Sequence, residues 1–265
     1  MKSLGKLVND QGRIMIAALD HRGSLEKILT TEQEMLQWKQ RMITLYRDEV
    51  TGILIDPIYG FKIRDENAHV SWMVSLEKTG YRGGKQARVT EIADGWGVKE
   101  AKLAGFHSVK LLLYYDPNNK ELAAKQKELA TRIAEECEQE AIVYLLEPLT
   151  YRMEEDREKE VLAMINDLRE LPVDIWKFEY PGSLAACQEI TTMVDSPWVL
   201  LSAGLEYDKY NPALKDAMAA GASGFAVGRA VWQEFGDYQG AAREKYLTEV
   251  ALPRMRELKE IVLNA

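Results

Sequence analysis

Short apolar runs recur along this chain at 13–20, 52–56, 74–78, 108–115, 141–147, 174–180, 198–202 and 224–228. Most are closed by proline or glycine. Runs of this length without a polar face read as strands buried on both sides. Between them lie segments with helical spacing, at 31–50, 91–104, 121–140, 154–171, 184–194 and 212–220, with a last one at 240–263. Thr31 and Glu34 have capping-box spacing, which fixes the start of the first helix. Pro253 predicts a break in the last. Eight strands alternating with helices predict a single-domain α/β fold over 1–265, a (β/α)8 TIM barrel with a C-terminal helix. A doubly wound sheet usually carries a glycine-rich turn after its first strand. Here that position reads Asp20-His-Arg-Gly-Ser24, and there is no P-loop.

The strand ends carry polar residues that such a pattern should not tolerate by accident: Asp20, Asp56, Glu77, Lys110, Glu147, Lys177, Ser202 and Arg229. In a barrel these ends form the active-site rim. The sixth strand is the most informative. Side chains alternate along it, so Asp174, Trp176, Phe178 and Tyr180 share one face, and Ile175, Lys177 and Glu179 the other. A lysine facing a barrel interior must be paired or neutral, and a neutral amine is a nucleophile. Lys177 is therefore the candidate imine-forming residue. Lys110 is either a charge partner of Asp20 or Glu147, or a second ammonium that favours a neutral Lys177. Glu147, buried before Pro148, is either that partner or a general acid–base. Ser202-Ala-Gly204 and Gly228-Arg229 follow the last two strands, where barrels bind phosphate, and Arg229 can grip it bidentately.

Charge and composition narrow the function classes. The net charge of −8 gives no bulk basic field for nucleic acid or anionic membranes. No apolar run approaches a membrane span and no secretory segment opens the chain, so a cytoplasmic protein with reduced Cys137 and Cys187 is expected. His21, His69 and His107 match no zinc spacing, and neither a metal nor another cofactor is expected. Only His21, beside Asp20, faces the predicted site.

Several pieces then match a known family in order along nearly the whole chain. They are Ala18-Leu-Asp-His-Arg-Gly23, Ile53-Leu-Ile-Asp-Pro-Ile-Tyr-Gly60, Glu77-Lys-Thr-Gly-Tyr81, Val109-Lys-Leu-Leu-Leu-Tyr-Tyr-Asp116, Leu146-Glu-Pro-Leu-Thr-Tyr151, Val173-Asp-Ile-Trp-Lys-Phe-Glu179, Leu201-Ser-Ala-Gly204 and Val227-Gly-Arg-Ala-Val-Trp232. The chain resembles the class I aldolases of the tagatose-1,6-bisphosphate and sulfofructose-1-phosphate aldolase family. The resemblance implies a barrel in which Lys177 forms the imine and Asp20, Lys110 and Glu147 are its catalytic neighbours. It places Ser202 and Arg229 at the substrate phosphate, where Gly204 and Gly228 permit close backbone approach. The family often has glutamine at the position of His21, near the distal end of the substrate, and Arg22 beside it suits an anion there. Two segments, around Lys177 and around Arg229, also resemble aldolases acting on a deoxy-keto-gluconate phosphate. The implied reaction is cleavage of a ketose 1-phosphate to dihydroxyacetone phosphate and an aldehyde, in a homodimer or homotetramer. Two readings stay open beside it: a metal-dependent aldolase or isomerase, and a non-catalytic sugar-phosphate-binding regulator on the same scaffold.

Overall fold

The computed structural model describes residues 2–64, 69–151 and 156–265. Eight parallel strands close into one barrel in sequence order: β1 (Ile14–Ala18), β2 (Gly52–Ile55), β3 (Ser71–Ser75), β4 (Ser108–Tyr114), β5 (Val143–Leu149), β6 (Ile175–Phe178), β7 (Trp198–Leu201) and β8 (Gly224–Val227). Around them run α1 (Glu32–Tyr46), α2 (Val98–Leu103), α3 (Lys120–Gln139), α4 (Arg157–Leu168), α5 (Leu184–Met193), α6 (Tyr207–Ala219), α7 (Arg229–Trp232), α8 (Gly240–Tyr246) and α9 (Leu252–Leu263). The predicted (β/α)8 barrel is the observed fold. Among the described residues no helix is long and apolar enough to cross a membrane.

Two hydrophobic clusters follow from strand alternation. Outward-facing residues such as Ile53, Tyr144, Trp176 and Phe178 pack against the helices. Ile14, Ile16, Leu54, Met73, Val143, Leu145, Ile175, Val199 and Ala226 fill the interior. Leu7 joins that inner cluster, with Leu4 and Val8 packed on it, so the N-terminal segment plugs one end of the barrel. The inward positions above this apolar layer then carry charge, which concentrates the polar groups at the other mouth.

Several boundaries depart from the sequence reading. The third strand is 71–75 rather than 74–78, so Glu77 stands beyond its end and pairs in an isolated bridge with Ile92. That bridge takes Glu91 and Ile92 out of the helix expected from 91, and α2 starts at Val98. β5 runs through Pro148 to Leu149. Pro148 faces β6, where pairing has already stopped at Leu146, so its missing N–H breaks no ladder bond. α6 begins at Tyr207, five residues before Pro212. The last helix does not break at Pro253. A π turn over Leu247–Ala251 precedes it and the helix continues. The predicted start of α4 at 154 lies outside the described residues.

Candidate active site

A cavity of about 380 Å³ opens at the C-terminal ends of the strands. It collects Asp20, His21, Arg22, Glu77, Lys110, Glu147, Lys177, Ser202, Gly204, Gly228 and Arg229. Of the rim residues expected from sequence, Asp56 alone is elsewhere. β2 ends one residue before it, and its carboxylate caps the following turn, accepting from the N–H groups of Ile58 at 2.9 Å and Tyr59 at 2.7 Å. It pairs at 2.9 Å with Lys39 Nζ, which arrives from α1. Both side chains are fully buried. Lys39 also donates to the carbonyls of Leu19 at 2.5 Å and His21 at 2.8 Å, which fixes the backbone on either side of Asp20.

Lys177 is 4% exposed and points inward from β6, as the alternation predicts. Its Nζ lies 2.8 Å from Glu147 Oε2. That oxygen is also 3.4 Å from Lys110 Nζ, yet neither lysine is aligned to donate a hydrogen bond to it. Lys110 is 2.7 Å from Asp20 Oδ2 and in direct contact with Glu77 Oε1. Glu77 Oε2 accepts the Leu112 N–H at 3.1 Å. Glu77 was visible at the rim in sequence, but its grip on Lys110 was not. Burial disfavours the Lys110 ammonium, but Asp20, Glu77 and Glu147 together outweigh it and hold its pKa well above the ordinary lysine value. Asp20 shows the counterpart: burial raises its pKa, and Lys110, His21 and Lys177 overcome that and depress it far below the usual carboxylate range. Lys110 is therefore no bare second ammonium beside Lys177. Three carboxylates compensate it.

Glu179, one residue beyond the end of β6, is kept out of the cavity. Its carboxylate accepts from Thr150 Oγ1 at 2.5 Å and Arg157 Nη2 at 2.6 Å. Burial still raises its pKa.

The loops after β7 and β8 meet at Arg229. Ala203 (φ 48) and Gly204 (φ 79) both adopt the left-handed region, turning the chain sharply after Ser202. A Cβ at Gly204 would stand 2.9 Å from Arg229 Nη2, and one at Gly228 would stand 2.5 Å from His21 Cε1. Both glycines make room for a neighbouring side chain. His21 therefore sits against the β8 loop and edge-on to Trp232, at 5.2 Å between centroids. Burial lowers its pKa to about 4. Arg22 turns the other way and donates to the Glu77 carbonyl at 2.7 Å. Among the described residues no group of three or more His, Cys, Asp and Glu side chains is arranged to hold a metal ion.

A buried amine facing a carboxylate at the mouth of a (β/α)8 barrel is the equipment of a class I, Schiff-base-forming aldolase. The sequence comparison gives the family: the model of the DeoC/LacD family aldolases matches residues 14–234, and the chain belongs to that family of carbon–carbon lyases. It is 30% identical to tagatose 1,6-diphosphate aldolase 1 of Enterococcus faecalis, over 88% of this chain and 84% of that one. In fold it is similar to an archaeal fructose 1,6-bisphosphate aldolase, with a TM-score of 0.75 at 20% identity over 98% of this chain and 97% of the other. A third match is an archaeal fructose-1,6-bisphosphate aldolase with its catalytic lysine bound to the carbinolamine intermediate, with a TM-score of 0.73 at 20% identity over 97% of this chain and 96% of that one.

Proposed function

We propose that this chain cleaves a ketose 1-phosphate of the tagatose 1,6-bisphosphate type to dihydroxyacetone phosphate and an aldehyde, with Lys177 as the imine-forming amine. The observation that carries the reading is the contact of Lys177 Nζ with Glu147 Oε2 at 2.8 Å inside the cavity. Glu147 takes the ammonium proton, and the free amine adds to C2 of the ketose. Glu147 returns a proton to the departing hydroxyl as the carbinolamine loses water. The resulting iminium accepts the electron pair of the C3–C4 bond as Glu147, again a carboxylate, takes the C4 hydroxyl proton and the aldehyde leaves. Glu147 returns that proton to C3 of the enamine left on Lys177, and water hydrolyses the re-formed iminium to release dihydroxyacetone phosphate. Asp20 and Lys110 hold the substrate hydroxyls. Ser202, Gly204, Gly228 and Arg229 hold the 1-phosphate, with His21 beside them, and Arg22 contacts the substrate from the loop after β1.

The test is borohydride trapping with dihydroxyacetone phosphate, followed by peptide mapping. The adduct should fall on Lys177, and Lys177→Arg, which keeps the charge, should abolish it together with activity. Activity should survive EDTA. An adduct on Lys110 would reverse the roles of the two lysines. No adduct, together with activity lost in EDTA, would replace the imine mechanism with a metal-dependent one.

A further inference from the structure

The barrel order sets where the two ends of a substrate can lie. The proposed 1-phosphate loops follow β7 and β8, and the strands facing these across a closed eight-stranded barrel are β3 and β4. An extended ketose phosphate anchored at Arg229 and reacting at Lys177 therefore points its far end toward the β3–β4 wall. Two basic side chains of that wall already have acidic partners. Lys78 pairs with Asp94 at 2.8 Å, and Arg82 pairs with Glu91 at 3.1 Å. Lys110 is held by its three carboxylates.

Arg88 differs. Its guanidinium carbon lies 4.6 Å from the ring centroid of Tyr81, 5.5 Å from that of Tyr114 and 5.4 Å from that of Tyr151. Among the described residues no carboxylate lies within ion-pair distance of it, and its Nε is buried without a hydrogen-bond partner. Aromatic faces stabilise the cation and leave its N–H fork unengaged. The three rings come from the ends of three successive units: Tyr81 from the segment after β3, Tyr114 from β4 and Tyr151 from just beyond β5. Tyr114 lines the cavity and Tyr81 packs edge-on against it at 5.4 Å. A short hairpin pins the loop that carries Tyr81 and Arg88. Arg82 N–H donates to the Val89 carbonyl at 3.0 Å, and Val89 N–H to the Arg82 carbonyl at 2.9 Å. The sequence alone favours Arg22 for a distal anion. In the fold Arg22 is buried and one of its terminal nitrogens is already bonded to the Glu77 carbonyl.

We infer that Arg88, in its cage of Tyr81, Tyr114 and Tyr151, is a second anion subsite that takes a negatively charged group at the far end of the ketose 1-phosphate. The inference rests on the aldolase reading above and names the specificity determinant of that same site. Phosphate, sulfonate and carboxylate tails share the chemistry that a free guanidinium fork recognises.

The experiment separates this subsite from the imine chemistry. Binding to the Lys177→Met chain is measured by calorimetry for a ketohexose 1-phosphate and for the same sugar with a 6-phosphate, a 6-sulfonate or a 6-carboxylate. Each ligand is then repeated with Arg88→Ala added. Arg88→Ala should weaken binding of the anion-tailed ligands by on the order of 10²-fold. It should leave the ketohexose 1-phosphate within about twofold, so the preference for an anionic tail collapses. Which tail loses most identifies the natural group. Arg88→Lys, which keeps a charge without the fork, should fall between the two and serves if Arg88→Ala does not fold. Equal weakening of tailed and untailed ligands would make Arg88 a packing residue and overturn the inference. So would loss of the preference in Arg22→Ala with retention in Arg88→Ala. Borohydride trapping of dihydroxyacetone phosphate on the parent chain tests the aldolase reading by itself, because that ligand carries no distal anion.

Discussion

Replacing Lys110 by methionine, nearly isosteric but neutral, isolates what one buried cation does for three carboxylates. The ammonium side chain is 2% exposed, and its partners Asp20, Glu77 and Glu147 are 12%, 8% and 9% exposed. At an effective dielectric near 20, the contacts to Asp20 and Glu147 are each attractive by roughly 5–6 kcal/mol before desolvation is deducted. Breaking such a buried pair by removing one partner costs about 3–5 kcal/mol net, because the remaining charges stay buried. That corresponds to a Tm lower by roughly 10 °C in a domain of this size. The pH dependence adds a second constraint. Lys110 is held well above its ordinary 10.5, so its contribution is complete below 10.5 and is lost only as pH rises through the elevated folded value. Asp20 is held below its ordinary 3.8, so its contribution is present above 3.8 and is lost as pH falls toward the depressed folded value. In Lys110→Met the orphaned Asp20 no longer has its main cation, and protonation removes the charge that needs one. The stability difference from the parent should therefore be largest at pH 8 and shrink toward pH 4. Urea unfolding followed by far-UV circular dichroism at pH 8, 6 and 4.5 reads this directly. A difference below about 1 kcal/mol at pH 8, or one independent of pH, would refute the claim that this lysine neutralises the cluster.

Three further outcomes follow from other contacts. His21 is lowered from 6.5 to about 4, so the folded state should lose about 3 kcal/mol as pH falls from 6.5 to 4, and urea titration of His21→Asn should show that slope reduced. Gly204→Ala forces a Cβ to within 2.9 Å of Arg229 Nη2 at a left-handed backbone position, so KM for the ketose phosphate should rise roughly tenfold in steady-state assays while kcat changes little. Lys39→Met leaves Asp56 buried without its cation and frees the carbonyls of Leu19 and His21; it should cost about 3–5 kcal/mol in urea unfolding and lower kcat although Lys39 lies outside the cavity.

The sequence carried the barrel and the direction of Lys177 because both depend on local pattern. Strand alternation alone aims Lys177 inward and Trp176 outward, and the clusters keep that division. Asp56 and Glu77 show where local pattern ends. Each is an acid just past an apolar run, and nothing near either one in the chain distinguishes them. What separates them is a lysine on α1 that reaches Asp56, and the end of β3 two residues before Glu77, which lets its carboxylate reach Lys110. Arg88 was illegible for a related reason. Its partners are rings from three different β–α connections, and only barrel closure brings them together.

The shared position of Glu147 bears on how the site would start its reaction. For Lys177 to attack, its proton must leave, and Glu147 Oε2 is the carboxylate oxygen in contact with its Nζ, at 2.8 Å. That oxygen faces Lys110 as well, at 3.4 Å. When Glu147 takes the proton it stops compensating Lys110, and the burden shifts to Asp20 and Glu77, the two closer acids. With both ionised, the buried ammonium keeps two charged contacts to offset its desolvation; without Glu77 it would keep one. In this reading Glu77 is what allows Glu147 to go neutral without destabilising Lys110. Glu77→Gln should therefore slow imine formation more than substrate binding, since it weakens Glu147 as a proton acceptor while leaving the phosphate loops untouched. Single-turnover trapping with borohydride measures the first quantity and equilibrium binding of dihydroxyacetone phosphate to a chain also carrying Lys177→Met measures the second. Equal losses in both would assign Glu77 to structure alone.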